Sequence, residues 1–121
     1  MGQMRALTIR QPWASLIICG EKDVENRTWT TRYRGLLAIH AGQRFDRDLQ
    51  PWQRNIVARI DDLPRGAIIG VVQLMDVVRD SSSRWAEPQS YHWVLSEPRP
   101  IEPVPMRGRL GLWVPEVDLP A

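Results

Sequence analysis

The stretch that decides how the chain folds runs from the end of an apolar segment into a cluster of charges: Gly20-Glu21-Lys22-Asp23-Val24-Glu25-Asn26-Arg27-Thr28-Trp29. Gly20 is a residue type that ends helices, and Trp29 closes the run with an aromatic ring. Hairpin strands normally alternate apolar and polar residues. Here Lys22, Glu25 and Arg27 interrupt that alternation with two cations around one carboxylate. The pattern predicts a helix-to-strand turn that carries a site for a charged ligand.

Lys22 is the only lysine of the protein, and all other basic residues are arginines. A side chain that only carries charge is readily replaced by arginine. A compact ammonium, or an amine that must lose a proton, is not. We therefore take Lys22 as a candidate functional residue. The alternative is an ordinary surface ion pair with Glu25, which would contribute roughly 0–1 kcal/mol to stability.

Size and composition predict one domain over residues 1–121. The chain has 43% hydrophobic and 25% charged residues and a formal net charge of +2, which fits a globular protein with one core. The six tryptophans suit either a core or stacking on nucleobases. One cysteine, Cys19, excludes an internal disulfide, and we expect it to be buried. No signal-peptide layout and no apolar run of membrane-spanning length is visible, so we expect a cytoplasmic protein without a membrane partner.

Strands outnumber helices in the hydrophobic pattern. Pro12 starts a helix whose apolar face carries Trp13, Leu16 and Ile17, so Gln11 and Trp13 would lie at a helix N-terminus that favours anions. A second helix is predicted from apolar residues between Phe45 and Ile60, with Asp46 or Asp48 as its cap. Strands are expected at 5–10, 36–41, 67–78, 91–95 and 110–114, with an extended proline-rich connection at 98–105 and a mobile polar loop at 81–90. This order predicts an α+β domain built on a strongly bent sheet or small barrel, with a bend or a close backbone approach at Gly70.

These residues resemble the ASCH family, relatives of the PUA-like RNA-binding barrels. The resemblance rests on four matched segments in one order: Gln11-Pro12-Trp13-Ala14, Gly20-x-Lys22-x-x-Glu25-x-Arg27-x-Trp29, Arg34-Gly35 before a strand that ends Ile39-His40-Ala41, and His92-Trp93 followed by Gly108-x-x-Gly111-Leu112-Trp113. It covers about residues 6–114. It implies a PUA-like small β-barrel with about two helices packed on it, a basic cleft beside the first helix, and RNA or a nucleotide as ligand.

The chain departs from the family pattern at one position of the cluster. Members that remove acyl groups from modified cytidine carry threonine where this chain has Glu25. They also use a carboxylate on the long strand, where this chain offers Gln73. Both departures weaken the transfer of that activity.

The sequence and the resemblance together give one set of candidate residues. Lys22 and Glu25 are the candidates for contact with a base or a reacting group. The candidates for nucleic-acid binding are Gln11, Trp13, Lys22, Arg27, Trp29 and Arg34. Trp13 is equally suited to core packing, and Trp29 is the better stacking wall. His40 and His92 are interpreted as structural histidines. We predict no metal and no cofactor, since no ligand spacing or Gly-rich phosphate loop is present.

Three functional hypotheses follow. The first is an RNA- or nucleotide-binding protein. The second is a hydrolase, either a ribonuclease or an amidohydrolase acting on N4-acylated cytidine, and it requires a nucleophile or water-activating group near Lys22. The third is an adaptor whose basic face binds a protein that the sequence does not identify.

Overall fold

The computed structural model describes residues 3–119, which form six strands and two short helices. In chain order these elements are β1 (Arg5–Gln11), α1 (Trp13–Ile18), β2 (Val24–Arg27), β3 (Gly35–Phe45), α2 (Pro51–Val57), β4 (Ala67–Val78), β5 (Tyr91–Pro105) and β6 (Leu112–Trp113). Neither helix in this range is long and apolar enough to cross a membrane. The predicted α+β class is confirmed.

All six strands belong to one sheet with the order β2-β5-β4-β3-β1-β6. β1 and β3 are parallel, and every other neighbouring pair is antiparallel. Within residues 3–119 no ladder joins the edge strands β2 and β6, so the sheet does not close into the small barrel that the resemblance implied. β6 pairs only with Ala6 and Leu7, so the remainder of β1 faces β2 across a gap. The Arg27 guanidinium spans this gap by donating through Nη2 to the Thr8 carbonyl at 2.8 Å.

Helix α1 covers one face of the sheet. Its side chains from Ala14 to Ile18 are all buried, so the burial includes Leu16 and Ile17 of the predicted apolar face and extends beyond that face. Gly70 lies directly beneath it, because a Cβ there would come within 2.5 Å of Ile18 Cδ1 and 2.7 Å of the Arg99 carbonyl oxygen. The pairing of β4 with β5 shifts register at this glycine. The close approach of helix and sheet therefore requires glycine at position 70, and of the two predictions for this residue the close backbone approach is confirmed.

The proline-rich segment is a strand and not a loose connection. β5 continues to Pro105 and pairs with β4 along its length, whereas β2 pairs only with Tyr91–Val94. Beyond Val94 the strand is a sheet edge, where a missing N–H leaves no ladder bond broken. The expectation that strand 91–95 would end before the prolines was wrong for this reason.

The second helix is shorter than predicted and begins later. β3 extends to Phe45, so this residue belongs to a strand, and neither Asp46 nor Asp48 caps the helix. Gln50 is the N-cap and forms a reciprocal capping box with Gln53, and Pro51 between them is the first residue of the helix. Periodic spacing alone does not separate the end of a strand from the turn that follows it.

The 81–90 loop is fixed to the sheet through a buried tryptophan. Trp85 is 4% exposed and packs against Trp52 with ring centroids 4.7 Å apart and the ring planes tilted by 57°. Asn26 Nδ2 donates to the Trp85 carbonyl oxygen at 2.9 Å, and the Glu87 N–H donates to Asn26 Oδ1 at 2.9 Å. The polar composition of the loop did not indicate that Trp85 would be buried and anchor it.

Candidate functional site

A cleft of about 1330 Å³ opens where the sheet does not close. One wall comes from β1 at Thr8–Arg10, the opposite wall from Lys22 and the segment Glu25–Trp29, and the rim from the 106–111 loop. Because these segments lie on both sides of the gap between β1 and β2, the incomplete ring creates the cleft.

A buried ionic network occupies the wall formed by β2. Glu25 Oε1 lies 3.4 Å from Lys22 Nζ, and Glu25 Oε2 accepts a hydrogen bond from Arg27 Nε at 2.9 Å. Lys22 Nζ also donates to the Val24 carbonyl oxygen. The side chains of Lys22 and Glu25 are only 4% and 10% exposed, whereas that of Arg27 is 23% exposed. Lys22 and Arg27 are called the inner cations below.

The turn after α1 explains why Lys22 and Glu25 meet. The backbone N–H groups of Glu21 and Lys22 both donate to the Leu16 carbonyl oxygen, at 3.1 and 3.0 Å. This fixes Lys22 outside the strand, so its side chain escapes the alternation that would turn it away from Glu25. The pair is buried, so the stability contribution of roughly 0–1 kcal/mol that is typical of a surface ion pair does not apply to it.

Three tryptophans line the cleft, Trp85 among them, and the two sequence candidates, Trp13 and Trp29, also pack against the core. Trp13 donates from Nε1 to Asp46 Oδ2 at 3.1 Å, and Lys22 Nζ lies 5.9 Å from its ring centroid. Trp29 contacts Trp93 edge-to-face at 4.9 Å between centroids. Both rings are half-buried, so each has one side on the core and one side toward the cleft.

Four exposed arginines complete the lining and were missed at the level of sequence. These outer arginines are Arg10, Arg44, Arg107 and Arg109. Arg10 and Arg44 lie near the same ends of the parallel strands β1 and β3, and the other two flank Gly108. With the inner cations, six basic and three acidic residues line the cleft. The only local sequence signal for these arginines was the segment Arg107-Gly108-Arg109.

Two sequence candidates lie outside this lining. Gln11 is fully buried, donating from Nε2 to Ser15 Oγ and the Pro64 carbonyl oxygen and accepting the Ser15 N–H at Oε1. It therefore holds the start of α1 and is not exposed to a ligand. Arg34 is exposed and donates to the carbonyl oxygens of Thr31 and Tyr33. It also pairs with Asp76 at 3.4 Å, away from the inner cations.

Both histidines are buried and hydrogen-bonded, as predicted. His92 Nδ1 accepts the Ser81 N–H at 3.1 Å, so Nε2 carries the proton that is donated to the Glu87 carbonyl oxygen at 2.6 Å. His40 Nε2 donates to the Met106 carbonyl oxygen at 2.7 Å. In the neutral ring this leaves Nδ1 as an acceptor for the Thr8 hydroxyl at 3.2 Å. Thr8 and His40 both line the cleft.

The remaining polar candidates do not add to the site. Gln73 is absent from the cleft lining, although it lies on β4 as expected. Cys19 is exposed, contrary to the prediction, because it lies at the C-cap of α1, beyond the last buried residue of the helix. The described part of the chain holds no group of three or more His, Cys, Asp or Glu side chains that could hold a metal ion.

The fold and the cleft define a PUA-like α+β domain with a charged opening at the edge of its sheet. The model of the ASCH domain matches residues 7–105, and the chain belongs to the ASCH family, which is associated with RNA binding. The resemblance seen in the sequence is thereby confirmed.

Individual relatives agree with this assignment. The chain is 31% identical over 124 aligned positions to activating signal cointegrator 1 of Mus musculus, covering 88% of this chain and 21% of that protein. It is 34% identical over 79 positions to the Homo sapiens protein of the same name, covering 58% and 14%. The chain thus matches about a fifth or less of the length of these relatives. The crystal structure of ASCH from Zymomonas mobilis superimposes with a TM-score of 0.62 at 14% identity, over 94% of this chain and 89% of that one.

Proposed function

We propose that this protein binds RNA, or a nucleotide within it, in the cleft between β1 and β2. The observation that carries the proposal is the charge of the lining. The whole chain has 16 basic and 14 acidic residues, whereas the cleft has six basic and three acidic ones. The basic excess of the protein is therefore concentrated at one concave surface, which is the electrostatic pattern of a nucleic-acid binder.

The two groups of cations suit two parts of such a ligand. The outer arginines are exposed and bidentate donors, and they fit phosphates along a strand. The inner cations and Glu25 lie deeper and are fixed, so they fit polar atoms of a base. Arg27 Nη1 has no hydrogen-bond partner among residues 3–119 and adjoins the cleft. Trp29 supplies an aromatic face for stacking.

The salt dependence of binding tests the proposal. Fluorescence anisotropy with a labelled single-stranded RNA should give a log–log slope of about −2 to −3, because three or four phosphate contacts each contribute roughly −0.7. A slope near zero would show that binding does not involve phosphate contacts. Absence of any binding at low salt would contradict the proposal and favour the protein-adaptor hypothesis.

A hydrolase remains a second candidate because of one hydrogen bond. Thr8 Oγ1 donates to His40 Nδ1 at 3.2 Å, and His40 is oriented by the Met106 carbonyl oxygen. This is the arrangement of a hydroxyl nucleophile and a general base held by a third group. It lies beside Arg27, whose guanidinium contacts the Thr8 carbonyl oxygen. Both oxygens of Glu25 are engaged by cations, so Thr8 is the better candidate nucleophile.

Matched substitutions of Thr8 test this second candidate. If the hydroxyl attacks an acyl group, Thr8→Val should abolish hydrolysis of N4-acetylcytidine, and Thr8→Ser should retain it. Equal activity in both variants, or none in the wild-type protein, would leave the Thr8–His40 bond as a purely structural contact.

A further inference from the structure

The rim of the cleft carries an apolar side chain that packs against nothing. The loop Met106–Gly111 connects β5 to β6, and within it Leu110 is 99% exposed. Arg109 precedes this leucine and Arg107 lies three positions before it. All three residues line the mouth of the cleft. With 99% of its surface exposed, Leu110 contributes nothing to the folded core and is available for a contact outside the protein.

The loop is held to the sheet on both sides of its tip. The Met106 N–H donates to the Gly66 carbonyl oxygen at 3.0 Å, and the Met106 carbonyl oxygen accepts from His40 Nε2. Gly108 lies against the Thr8–His40 pair, since a Cβ there would be 2.6 Å from Thr8 Oγ1. Beyond the tip, Leu112 pairs with Leu7 of β1. The position of Leu110 relative to the cleft is therefore set by fixed neighbours.

We propose that Leu110 is a wedge that inserts between two stacked bases where a nucleic acid enters the cleft. This inference rests on the proposed function and specifies its ligand as base-stacked RNA, such as a helical stem. Leucine is one of the side chains that nucleic-acid-binding proteins insert between base steps. Arg107 and Arg109 are exposed in the same loop, and Arg109 would exchange its ion pair with Glu116, 3.7 Å away, for a phosphate beside the opened step. The unstacked base would then lie next to the inner cations and Trp29.

A protein partner fits this loop less well. Specific protein interfaces bury about 800 Å² on each partner and are depleted in charge at their centres. Leu110 is a single apolar side chain with arginines in the same loop, and this is too little apolar surface for such an interface. Insertion between bases requires only one side chain.

The test uses an RNA hairpin with 2-aminopurine in its stem, because the fluorescence of this base rises when it is unstacked. Wild-type protein should raise the fluorescence, and Leu110→Ala should lose the rise and bind the hairpin roughly tenfold more weakly. Leu110→Met should retain both. Met75→Ala is the matched control, since Met75 is also a large exposed apolar residue, at 56%, and does not line the cleft.

Unstructured oligouridine separates this inference from the proposed function. It has little stacking to disrupt, so wild type and Leu110→Ala should bind it within about twofold of each other. Binding of oligouridine without a fluorescence change in the hairpin would overturn the wedge and leave the RNA-binding proposal intact. A fluorescence rise that survives Leu110→Ala would also overturn it. Failure of the wild-type protein to bind either RNA would overturn both.

Discussion

The inner cations and the outer arginines share one cleft but differ in almost every physical respect. Lys22 and Arg27 are held by Glu25 and by backbone carbonyl oxygens, whereas Arg10, Arg44, Arg107 and Arg109 are exposed to solvent. A buried ion pair is costly to break because one charge is left without a partner. An exposed charge is screened by water and salt. The inner cations therefore help to fix the shape of the cleft, whereas the outer arginines supply positive electrostatic potential at its surface.

The largest expected effect follows from removing the carboxylate between the inner cations. Glu25→Ala leaves two cations at a buried wall, and we expect a loss of about 3–5 kcal/mol in the free energy of unfolding. Urea denaturation measures this directly. Asp76→Ala is the matched control because it removes the exposed partner of Arg34, and it should cost at most about 0.5 kcal/mol. Equal losses in the two variants would abolish the distinction between the groups.

An intermediate effect is expected from the aromatic wall. Trp29→Ala should weaken binding of single-stranded RNA by about 1–3 kcal/mol, because one stacking platform is lost. Trp29→Phe should recover most of the affinity. Trp52→Ala serves as the control, since Trp52 is half-buried against Trp85 and does not line the cleft. If Trp52→Ala weakens RNA binding as much as Trp29→Ala, both residues act through the core.

The smallest effect should distinguish an outer arginine from an arginine outside the cleft. Arg44→Ala should reduce the magnitude of the salt slope for RNA binding by about 0.7, which corresponds to one phosphate contact. Arg34→Ala should leave the slope unchanged, because its guanidinium lies outside the lining. Neither substitution should change the unfolding free energy by more than about 0.5 kcal/mol. If the salt slope changes with Arg34→Ala and not with Arg44→Ala, the phosphates bind outside the cleft and the proposed binding surface is wrong.

Local signals explain which parts of the fold could be predicted from sequence. Pro12 and Gly20 flank α1. The charged stretch after α1 contains the turn that places Lys22 next to Glu25. These features depend on residues within a few positions of one another. The extension of β5 through its prolines depends instead on which side of the strand pairs with a neighbouring strand. The local sequence carries no information about that pairing.

The candidate site divides in the same way. The inner cations come from one stretch of sequence and could be identified there. Arg10 and Arg44 are brought together by the parallel pairing of β1 with β3, and Gln11 is satisfied by Pro64, 53 residues further along the chain. The donors and acceptors that satisfy a side chain are set by tertiary structure, so the sequence indicated a ligand role for Gln11 where the structure shows a positioning one.

The hydrogen bond from Arg27 to the Thr8 carbonyl oxygen affects the width of the gap between β1 and β2. A backbone ladder fixes the distance between two strands at about 4.8 Å, whatever the sequence. Here the seam between β1 and β2 is spanned by a side chain, and its width depends on the length and planarity of that side chain. In the cleft that we propose as the ligand site, residue 27 is therefore one determinant of the ligand size, and a shorter residue there would remove this link without breaking any strand pairing of the sheet.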